Sequence, residues 1–168
     1  MNHNNLTLRR ATEADIPLIR EMAWKTFPAT YRSIIDDEQI EYMMEWMYSG
    51  ESLCRQMAES HTFLLAFREG EACGYASVER QGPDLFHLQK IYVLPRCQGT
   101  GTGRFLFQAV VDFVKTLHPT PCTLELNVNR VNPALGFYRR MGMHIDRQGD
   151  FPIGDGFYMN DYIMALSL

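Results

Sequence analysis

The sequence lacks the features that mark several large classes of protein. Among its 168 residues, no run approaches the roughly 18 consecutive apolar residues of a membrane-spanning helix. The first ten residues, MNHNNLTLRR, contain neither an apolar stretch nor a small-residue cleavage site, so we expect no secretory signal. Internal repeats and low-complexity segments are also missing. We therefore expect a cytoplasmic protein that does not bind a membrane.

The cysteines and the charge balance exclude further classes. Cys54, Cys73, Cys97 and Cys122 show no CxxC spacing and no clustered histidines, so no metal site is expected. Such cysteines are typical of reduced, mostly buried thiols in a cytosolic protein. The formal net charge of -4 argues against nucleic acid as a partner, because duplex phosphates require a basic surface. A content of 46% hydrophobic and 21% charged residues excludes a disordered chain.

The periodicity of apolar residues predicts a mixed α/β chain that forms one domain over residues 1–168. Strands are predicted where the sequence alternates or is rich in β-formers, at 6–10, 62–67, 72–79, 85–94, 123–128, 145–150 and 157–166. Helices are predicted after the capping box at 12–15 as far as Pro28, over 37–48, over 105–117, and from Asn132-Pro133 to Gly142. The expected order is β-αα-βββ-α-β-α-ββ.

A loop with glycines at alternate positions, Gly99, Gly101 and Gly103, separates a predicted strand from a predicted helix. Glycine lets backbone N–H groups approach an anion closely. The unsatisfied N–H groups and the dipole at a helix N-terminus also favour negative charge. The loop therefore predicts a pyrophosphate site. The alternative interpretation is a tight turn that binds no ligand.

Two common phosphate-binding folds fit this loop poorly. A Walker loop requires Gly-Lys followed by Ser or Thr, whereas Arg104 follows Gly103. A dinucleotide-binding fold requires GxGxxG, whereas the spacing here is GxGxG. Glu125, the carboxylate at the distance expected of a ribose ligand, lies in the middle of a predicted strand.

Three segments resemble the GNAT N-acetyltransferase superfamily. The segment QGTGTG, residues 98–103, resembles the family's Q/R-x-x-G-x-G/A signature, and it follows a strand that ends in IYVLP. The segment NPALGFYRRMGM, residues 132–143, resembles the pattern N-x-x-A-x-x-F-Y-x-x-x-G-F. The opening LRRATEAD, residues 8–15, is also similar to the start of family members. The resemblance covers nearly the whole chain, in the order of the predicted elements.

This resemblance implies a mostly antiparallel sheet that splays open after its fourth strand and binds acetyl-CoA as co-substrate in the gap. The backbone of Tyr92 and Val93 would pair with the pantetheine amides. Asn132 would contact acetyl-CoA from the opposite wall, while also capping a helix. The pyrophosphate would be held by backbone amides of the loop, at Gln98, Gly99, Thr100, Gly101, Thr102, Gly103 and Arg104.

For the chemistry, the resemblance implies that a primary amine attacks acetyl-CoA directly in a ternary complex. Tyr138 matches the family's general acid, which protonates the CoA sulfur, although a tyrosine there also suits packing beside Phe137. The family's glutamate base corresponds by position to His87, whose imidazole has an unperturbed pKa of ~6.5. Glu79 and a water relay remain alternatives. Gln89, another position at which relatives carry glutamate, cannot titrate.

A further resemblance, in residues 26–31, 36–39 and 157–164, is to the bacterial spermidine/spermine acetyltransferase branch, which implies a polyamine acceptor. The candidate substrate contacts are Phe27, Tyr31, Asp36, Asp37 and Glu38. A carboxylate-lined mouth would suit a polycation, whereas the alternative is a solvated acidic turn. Other hypotheses are acetylation of a protein lysine, an N-terminal amine or another small amine, or binding of acetyl-CoA without catalysis. The family resemblance also implies a homodimer.

Overall fold

The structure, a computed structural model, describes residues 5–168, which form an α/β fold of strands and helices. The strands are β1 (Leu6–Arg10), β2 (His61–Arg68), β3 (Glu71–Gly82), β4 (Leu85–Val93), β5 (Thr123–Asn129), β6 (His144–Gly154) and β7 (Phe157–Ser167). The helices are α1 (Ile16–Tyr31), α2 (Asp37–Tyr48), α3 (Gly50–Glu59), α4 (Thr102–Leu117) and α5 (Leu135–Arg140). Residues 1–4, which begin the segment where no secretory signal is expected, lie outside the described residues.

The strands form a seven-stranded sheet in the order β1-β2-β3-β4-β5-β7-β6. Neighbouring strands are antiparallel except for β4 and β5, which are parallel and are joined through α4. This parallel pairing covers only residues 85–87 of β4 and 123–125 of β5. Beyond His87 the two strands separate, so the sheet opens between them. The predicted splay after the fourth strand is confirmed.

Hydrophobic side chains cover both faces of this sheet. On one face, α4 presents Leu106, Val110 and Val114 at helical spacing to strand residues that include Phe86 and Leu124. On the other face, the helices α1–α3 pack on strand side chains, with Ile19, Met44, Leu53, Phe63 and Tyr75 among the buried contacts. The open part of the sheet therefore lies between two packed layers. Within residues 5–168, no helix is long and apolar enough to cross a membrane.

The prediction that Pro28 ends the first helix was wrong, because Pro28 lies inside α1. Proline has no N–H group, so the carbonyl of Trp24 loses its intrahelical partner, but Trp24 lies on the exposed side of the helix. The helix continues to Tyr31, and the N–H of the C-cap residue Arg32 donates to the Pro28 carbonyl at 2.9 Å. Burial of Phe27 and Tyr31 against the core stabilises this last turn.

Helix α3 was not predicted from the sequence. The helix begins at Gly50, and the hydroxyl oxygen of its N-cap residue Ser49 accepts the Ser52 N–H at 3.1 Å. Of its residues, Ser52 and Leu53 are buried. The apolar residues Leu53 and Met57 lie four positions apart and pack on the same core, so a helical signal was present in the sequence, although a short one.

Candidate active site

A cleft of ≈ 990 Å³ opens where β4 and β5 separate. Its walls come from the last turns of α1, residues 88–93 of β4, the glycine loop, residues 126–128 of β5, and α5 with the segment before it. Most of the positions predicted to bind acetyl-CoA or supply the acid line this cleft: Tyr92, Val93, Gln98, Gly99, Gly101, Gly103, Arg104, Asn132 and Tyr138.

The glycine loop places unpaired backbone N–H groups at one end of the cleft. Gly99 and Gly101 have φ values of +77° and +86°, which side-chain-bearing residues rarely adopt. The helical hydrogen bonds of α4 begin with the Phe105 N–H, which donates to the Gly101 carbonyl at 3.0 Å. The N–H groups of residues 102–104 therefore have no partner within the helix. Together with the helix dipole, they make this end of the cleft suitable for phosphate groups.

The polar side chains of the loop bind the loop itself. The Thr100 hydroxyl donates to the Cys97 carbonyl and lies 3.0 Å from the Thr102 hydroxyl oxygen. Neither threonine is among the residues that line the cleft. Gln98 Nε2 donates to the Val93 carbonyl at 3.3 Å, which attaches the loop to the end of β4. These side chains therefore shape the loop, and its backbone is what remains for a ligand.

One edge of β4 faces the cleft with its backbone. Tyr92 and Val93 are paired with β3 on one side, but β5 has already diverged on the other. The Tyr92 ring is directed into the core, with its centroid 5.8 Å from that of Tyr75 and 6.3 Å from that of Phe27. Burial raises the pKa of the Tyr92 hydroxyl well above its usual value. The backbone of this segment, rather than the Tyr92 hydroxyl, is therefore the part suited to a ligand.

Asn132 lies in the opposite wall and organises the start of α5. Its Oδ1 accepts the Ala134 N–H at 2.9 Å, and its carbonyl accepts the Leu135 N–H at 3.2 Å. Asn132 therefore forms the turn before α5, and the predicted cap role is corrected, because the N-cap position is Ala134. The regular helix begins at Leu135, two residues after the predicted start at Pro133. Asn132 is only 8% exposed and still lines the cleft.

Tyr138 is held in the cleft wall by the end of α5. The Tyr138 carbonyl accepts the Met143 N–H at 3.1 Å, and Gly142, with φ +98°, makes this helix end possible. The Tyr138 ring lies edge-on to Phe137, with centroids 5.4 Å apart. Burial, reinforced by the nearby Tyr31, raises the pKa of the Tyr138 hydroxyl above its usual value. Tyr138 is therefore protonated at neutral pH and can act as a hydrogen-bond donor.

His87 lies at the closed end of the splay. In the strand register it is opposite Glu79 of β3 on one side and Glu125 of β5 on the other. Burial lowers the pKa of His87, and the carboxylates of Glu125 and Glu79 act in the opposite direction. The lining of the cleft begins at the next residue, Leu88, so the His87 side chain is adjacent to the cleft but not part of its wall.

Glu79 is connected to the cleft through Gln89. Its Oε2 accepts a hydrogen bond from Gln89 Nε2 at 3.0 Å and lies 2.7 Å from Nε2 of His61. Gln89 itself lines the cleft. Both alternative bases, His87 and Glu79, are therefore found at the same end of the site.

Lys90 also lines the cleft, and the sequence analysis did not identify it. Its ammonium group donates to Gln56 Oε1 at 2.7 Å and lies 5.6 Å and 5.5 Å from the ring centroids of Tyr48 and Phe63. Burial lowers the pKa of Lys90 to about 8, and Glu79 opposes this effect. A lysine in a predicted strand carries no sign of burial in the sequence, because its depth depends on the helices packed over it.

The structure separates the predicted substrate residues Phe27 and Tyr31. Tyr31 lines the cleft. Burial raises the pKa of its hydroxyl, while hydrogen bonding with Tyr92 and Asn132 acts in the opposite direction. Phe27 is 1% exposed, and its ring centroid is 4.5 Å from that of Tyr31. The Phe27 ring supports Tyr31 from behind, so the expectation that Phe27 contacts substrate is corrected to a packing role.

The acidic residues predicted to bind substrate lie at the start of α2. Asp36 is the N-cap, and its side chain accepts the Gln39 N–H at 2.8 Å. Asp37 and Glu38 are exposed in the first turn, where carboxylates interact favourably with the helix dipole. None of the three lines the cleft, although Ser33, three residues before Asp36, does. All three residues therefore stabilise the start of α2, and none of them forms part of the cleft wall.

Two further polar residues were missed by the sequence analysis. Asn127 of β5 lines the cleft, and its side-chain amide donates to Asp161 Oδ2 on β7 at 3.3 Å. A signal was present at Asp161, because it occupies the same strand phase as the buried residues Met159 and Ile163. A carboxylate in the apolar phase of a strand needs a specific reason to be there.

The described residues show no group of side chains that would hold a metal. Across residues 5–168, His, Cys, Asp and Glu side chains nowhere form a cluster of three or more that could hold an ion. The four cysteines are free thiols, with Cys54 half-buried and the other three buried: Cys73, Cys97 and Cys122.

Comparisons with known proteins agree with this geometry. A family model described as the Acetyltransferase (GNAT) domain matches residues 32–157. An uncharacterized N-acetyltransferase of Mycobacterium tuberculosis is 27% identical over 159 residues, which cover 94% of this chain and 99% of that protein. Streptothricin acetyltransferase of Streptomyces lavendulae is 34% identical over 87 residues, covering 51% of this chain and 45% of that enzyme.

A solved structure has the same fold. The crystal structure of PaiA N-acetyltransferase from Thermoplasma acidophilum, in complex with coenzyme A, superposes with a TM-score of 0.81. The alignment covers 97% of this chain and 99% of that one, at 22% identity.

Proposed function

The chain belongs to the GNAT acetyltransferase domain family, and we propose that it acts as one domain that transfers the acetyl group of acetyl-CoA to a primary amine by direct attack in a ternary complex. The observation that carries this proposal is the cleft between β4 and β5. It combines a helix N-terminus with free N–H groups, an unpaired strand edge and a protonated tyrosine, Tyr138. The N–H groups suit the pyrophosphate of acetyl-CoA, the strand edge suits its pantetheine amides, and the tyrosine suits the departing sulfur.

For binding of acetyl-CoA, we propose that backbone groups provide most of the contacts. The N–H groups of residues 102–104 would bind the pyrophosphate, with Arg104 in the cleft wall as an additional cation. The exposed edge of Tyr92 and Val93 would pair with the pantetheine amides in the manner of a neighbouring strand. Asn132 would close the opposite side. A co-substrate held mainly by backbone requires no metal.

For the proton transfers, we propose Tyr138 as the acid and His87 as the base. A tyrosine hydroxyl is protonated at neutral pH, so Tyr138 can donate a hydrogen bond or a proton to the departing thiolate. The burial that raises its pKa makes it a weaker acid and favours the hydrogen bond. The lowered pKa of His87 keeps its imidazole neutral near pH 7 and able to accept a proton from the amine. Because His87 lies just beyond the cleft wall, it would act through a water. The alternative base is Glu79, which would accept the proton through a water, with Gln89 orienting its carboxylate by a hydrogen bond.

For the acceptor, we propose a polyamine. The support is the resemblance of the segments around Tyr31 and Asp161 to polyamine acetyltransferases, together with the exposed acidic run Asp36–Glu38 that follows the cleft residue Ser33. A second amine of a polyamine would be attracted to these carboxylates while the first reaches the thioester. The partial similarity to streptothricin acetyltransferase favours an amine-bearing antibiotic as the second candidate, and a protein lysine or N-terminal amine is a third.

Two accompanying proposals concern location and assembly. The four free thiols favour a reducing compartment, for which we propose the cytoplasm. The family resemblance favours a homodimer, and light scattering after size-exclusion chromatography tests it.

The test of the proposed function is a free-thiol assay with acetyl-CoA and a panel of amines. We expect thiol release that depends on the amine, with higher kcat/KM for spermidine and spermine than for monoamines. Binding of acetyl-CoA without thiol release for any amine would instead indicate a non-catalytic acetyl-CoA-binding protein. If polyamines are inert while streptothricin-type antibiotics or peptides react, the acceptor is wrong and acetyl transfer stands.

A further inference from the structure

Asn127 of β5 and Asp161 of β7 lie next to each other on adjacent strands, and Asn127 lines the cleft. Asn127 is exposed in the cleft wall, whereas Asp161 is 5% exposed behind it. The Asn127 amide nitrogen lies 3.3 Å from Asp161 Oδ2. Among the residues that the structure describes, Asp161 Oδ1 is buried without a hydrogen-bond partner. Within the described residues, the carboxylate therefore has one side-chain hydrogen bond, which it accepts from the amide of Asn127.

The chemistry of this pair fixes which end of the amide faces the cleft. An ionised carboxylate can only accept hydrogen bonds, so the NH₂ group of Asn127 must face Asp161. The Asn127 carbonyl oxygen, Oδ1, is then left as the polar atom available to a ligand in the cleft. That oxygen is an acceptor, and an acceptor matches a ligand that carries N–H donors.

We propose that Asn127 Oδ1 binds the acceptor's primary amine, and that Asp161 is the positioning residue that holds the amide in the required orientation. This inference rests on the proposed function and adds a recognition site for the amine. Tyr31 and Tyr138 line the same cleft, so the amine would bind close to the tyrosine that serves as acid. Asp161 acts only through Asn127 and does not touch the substrate.

The charged groups around Asp161 make this orientation dependent on pH. Burial raises the pKa of Asp161, while the hydrogen bond from Asn127 and the charge of Arg130 act in the opposite direction. Arg130 is itself paired with Asp150 of β6, and Tyr31 of α1 is the other titratable group near Asp161. When the pH falls through the raised pKa, the protonated Asp161 becomes a possible donor to Asn127 Oδ1. The amide can then turn its NH₂ group toward the cleft, where it opposes an amine.

The first test is Asp161→Asn, which behaves like the protonated carboxyl at every pH because its amide can pair with either end of Asn127. At neutral pH we expect KM for the amine to rise about three- to tenfold, the range of one hydrogen bond. KM for acetyl-CoA should change by less than about twofold. The ratio of the amine KM of the variant to that of the wild type should approach one as the pH is lowered. A merely structural role for Asp161 would not produce that pH-dependent ratio.

A matched control exists on the exposed face of α4. There Asp112 Oδ1 accepts a hydrogen bond from the side-chain amide of Gln108 at 2.9 Å. This contact is of the same kind as that between Asp161 and Asn127, but it lies away from the cleft. Asp112→Asn should leave the amine KM unchanged at every pH. An equal rise in KM for both variants would overturn the inference.

The second test is a double-mutant cycle with Asn127→Leu, which removes the amide at similar size. Asn127→Leu alone should raise the amine KM about tenfold, and adding Asp161→Asn should cause no further rise, because Asp161 acts through Asn127. Two outcomes would overturn this inference and leave the proposed function standing. One is additive effects of the two substitutions on the amine KM. The other is an active wild type together with single variants that both keep its amine KM. If the wild type turns over no amine at all, the proposed function fails first and the inference fails with it.

Discussion

Gly74 of β3 lies so close to β4 that a β-carbon at position 74 would be 2.5 Å from the carbonyl oxygen of Tyr92. The same β-carbon would lie 3.1 Å from Cδ1 of Leu106 on α4. Backbone on one side and a core side chain on the other leave no room for it to shift. Gly74 therefore sets how closely β3 supports the segment of β4 whose outer edge faces the cleft.

Gly74→Ala should lower the free energy of unfolding by about 1–3 kcal/mol, the usual cost of overpacking a rigid site. Denaturant-induced unfolding measures this change. Gly50→Ala is the matched control, because a β-carbon there has no atom within 4 Å and alanine favours a helix. If Gly74→Ala is as stable as Gly50→Ala, β4 is not held against β3 as tightly as the structure indicates.

Acetyl-CoA should raise the melting temperature of the wild type, because a ligand at a hundredfold excess over Kd stabilises by about 2.7 kcal/mol. Gly101→Asp should abolish the shift, since it adds a negative charge where the pyrophosphate is expected. Gly101→Asn is the matched control, because asparagine tolerates the positive φ of this position and carries no charge. The aspartate variant should lose more of the shift than the asparagine variant. An equal loss in both would indicate strain rather than charge.

Tyr138→Phe should lower kcat about ten- to a thousandfold, because the ring remains and only the transferable proton is lost. The Kd for acetyl-CoA should change little, so the loss appears in kcat rather than in binding. Steady-state kinetics and calorimetry separate the two quantities. Tyr158→Phe is the control, since Tyr158 is an exposed tyrosine outside the cleft wall. Full kcat in Tyr138→Phe would remove this residue from the mechanism.

The pH dependence of kcat/KM should identify the base. Burial lowers the pKa of His87, so its imidazole is lost as an acceptor only when the pH falls below its ordinary value of ~6.5. The acidic limb should therefore lie below that value in the wild type and should shift or disappear in His87→Gln. Glu79→Gln, which can still pair with Gln89, is the parallel variant. An unchanged profile in His87→Gln with a changed one in Glu79→Gln would assign the base to Glu79, and no change in either would favour a water relay.

Replacing the acidic run with neutral amides tests the polyamine proposal. The triple variant Asp36→Asn, Asp37→Asn, Glu38→Gln should raise KM for spermidine and hardly alter KM for a monoamine. Asparagine at position 36 keeps a good N-cap, so α2 should still form. In the wild type, kcat/KM for spermidine should fall as salt rises, since exposed charges are screened. Equal effects on both amines would show that the run does not select a polycation.

Much of the acetyl-CoA side of the site was predictable because it is encoded locally. Alternate glycines next to an amphipathic helix specify a loop with positive φ at Gly99 and Gly101 and free N–H groups at the helix start. The Asn132 side chain and the glycine at 142 specify the two ends of a short helix, which places Tyr138 on it. Backbone conformations of this kind depend on a few consecutive residues, so a sequence pattern is enough to indicate them.

The acceptor side was decided by the tertiary structure. Pro28 stays in a helix, and Phe27 is buried beneath Tyr31, because α1 packs against the sheet. The contact between Asn127 and Asp161 joins residues 34 positions apart on neighbouring strands. Burial, pKa and hydrogen-bond partners of such side chains arise from segments that are distant in the chain. The sequence by itself determined the family, the strand order along the chain and the glycine loop at the start of α4, whereas packing between distant elements determined which polar groups line the cleft.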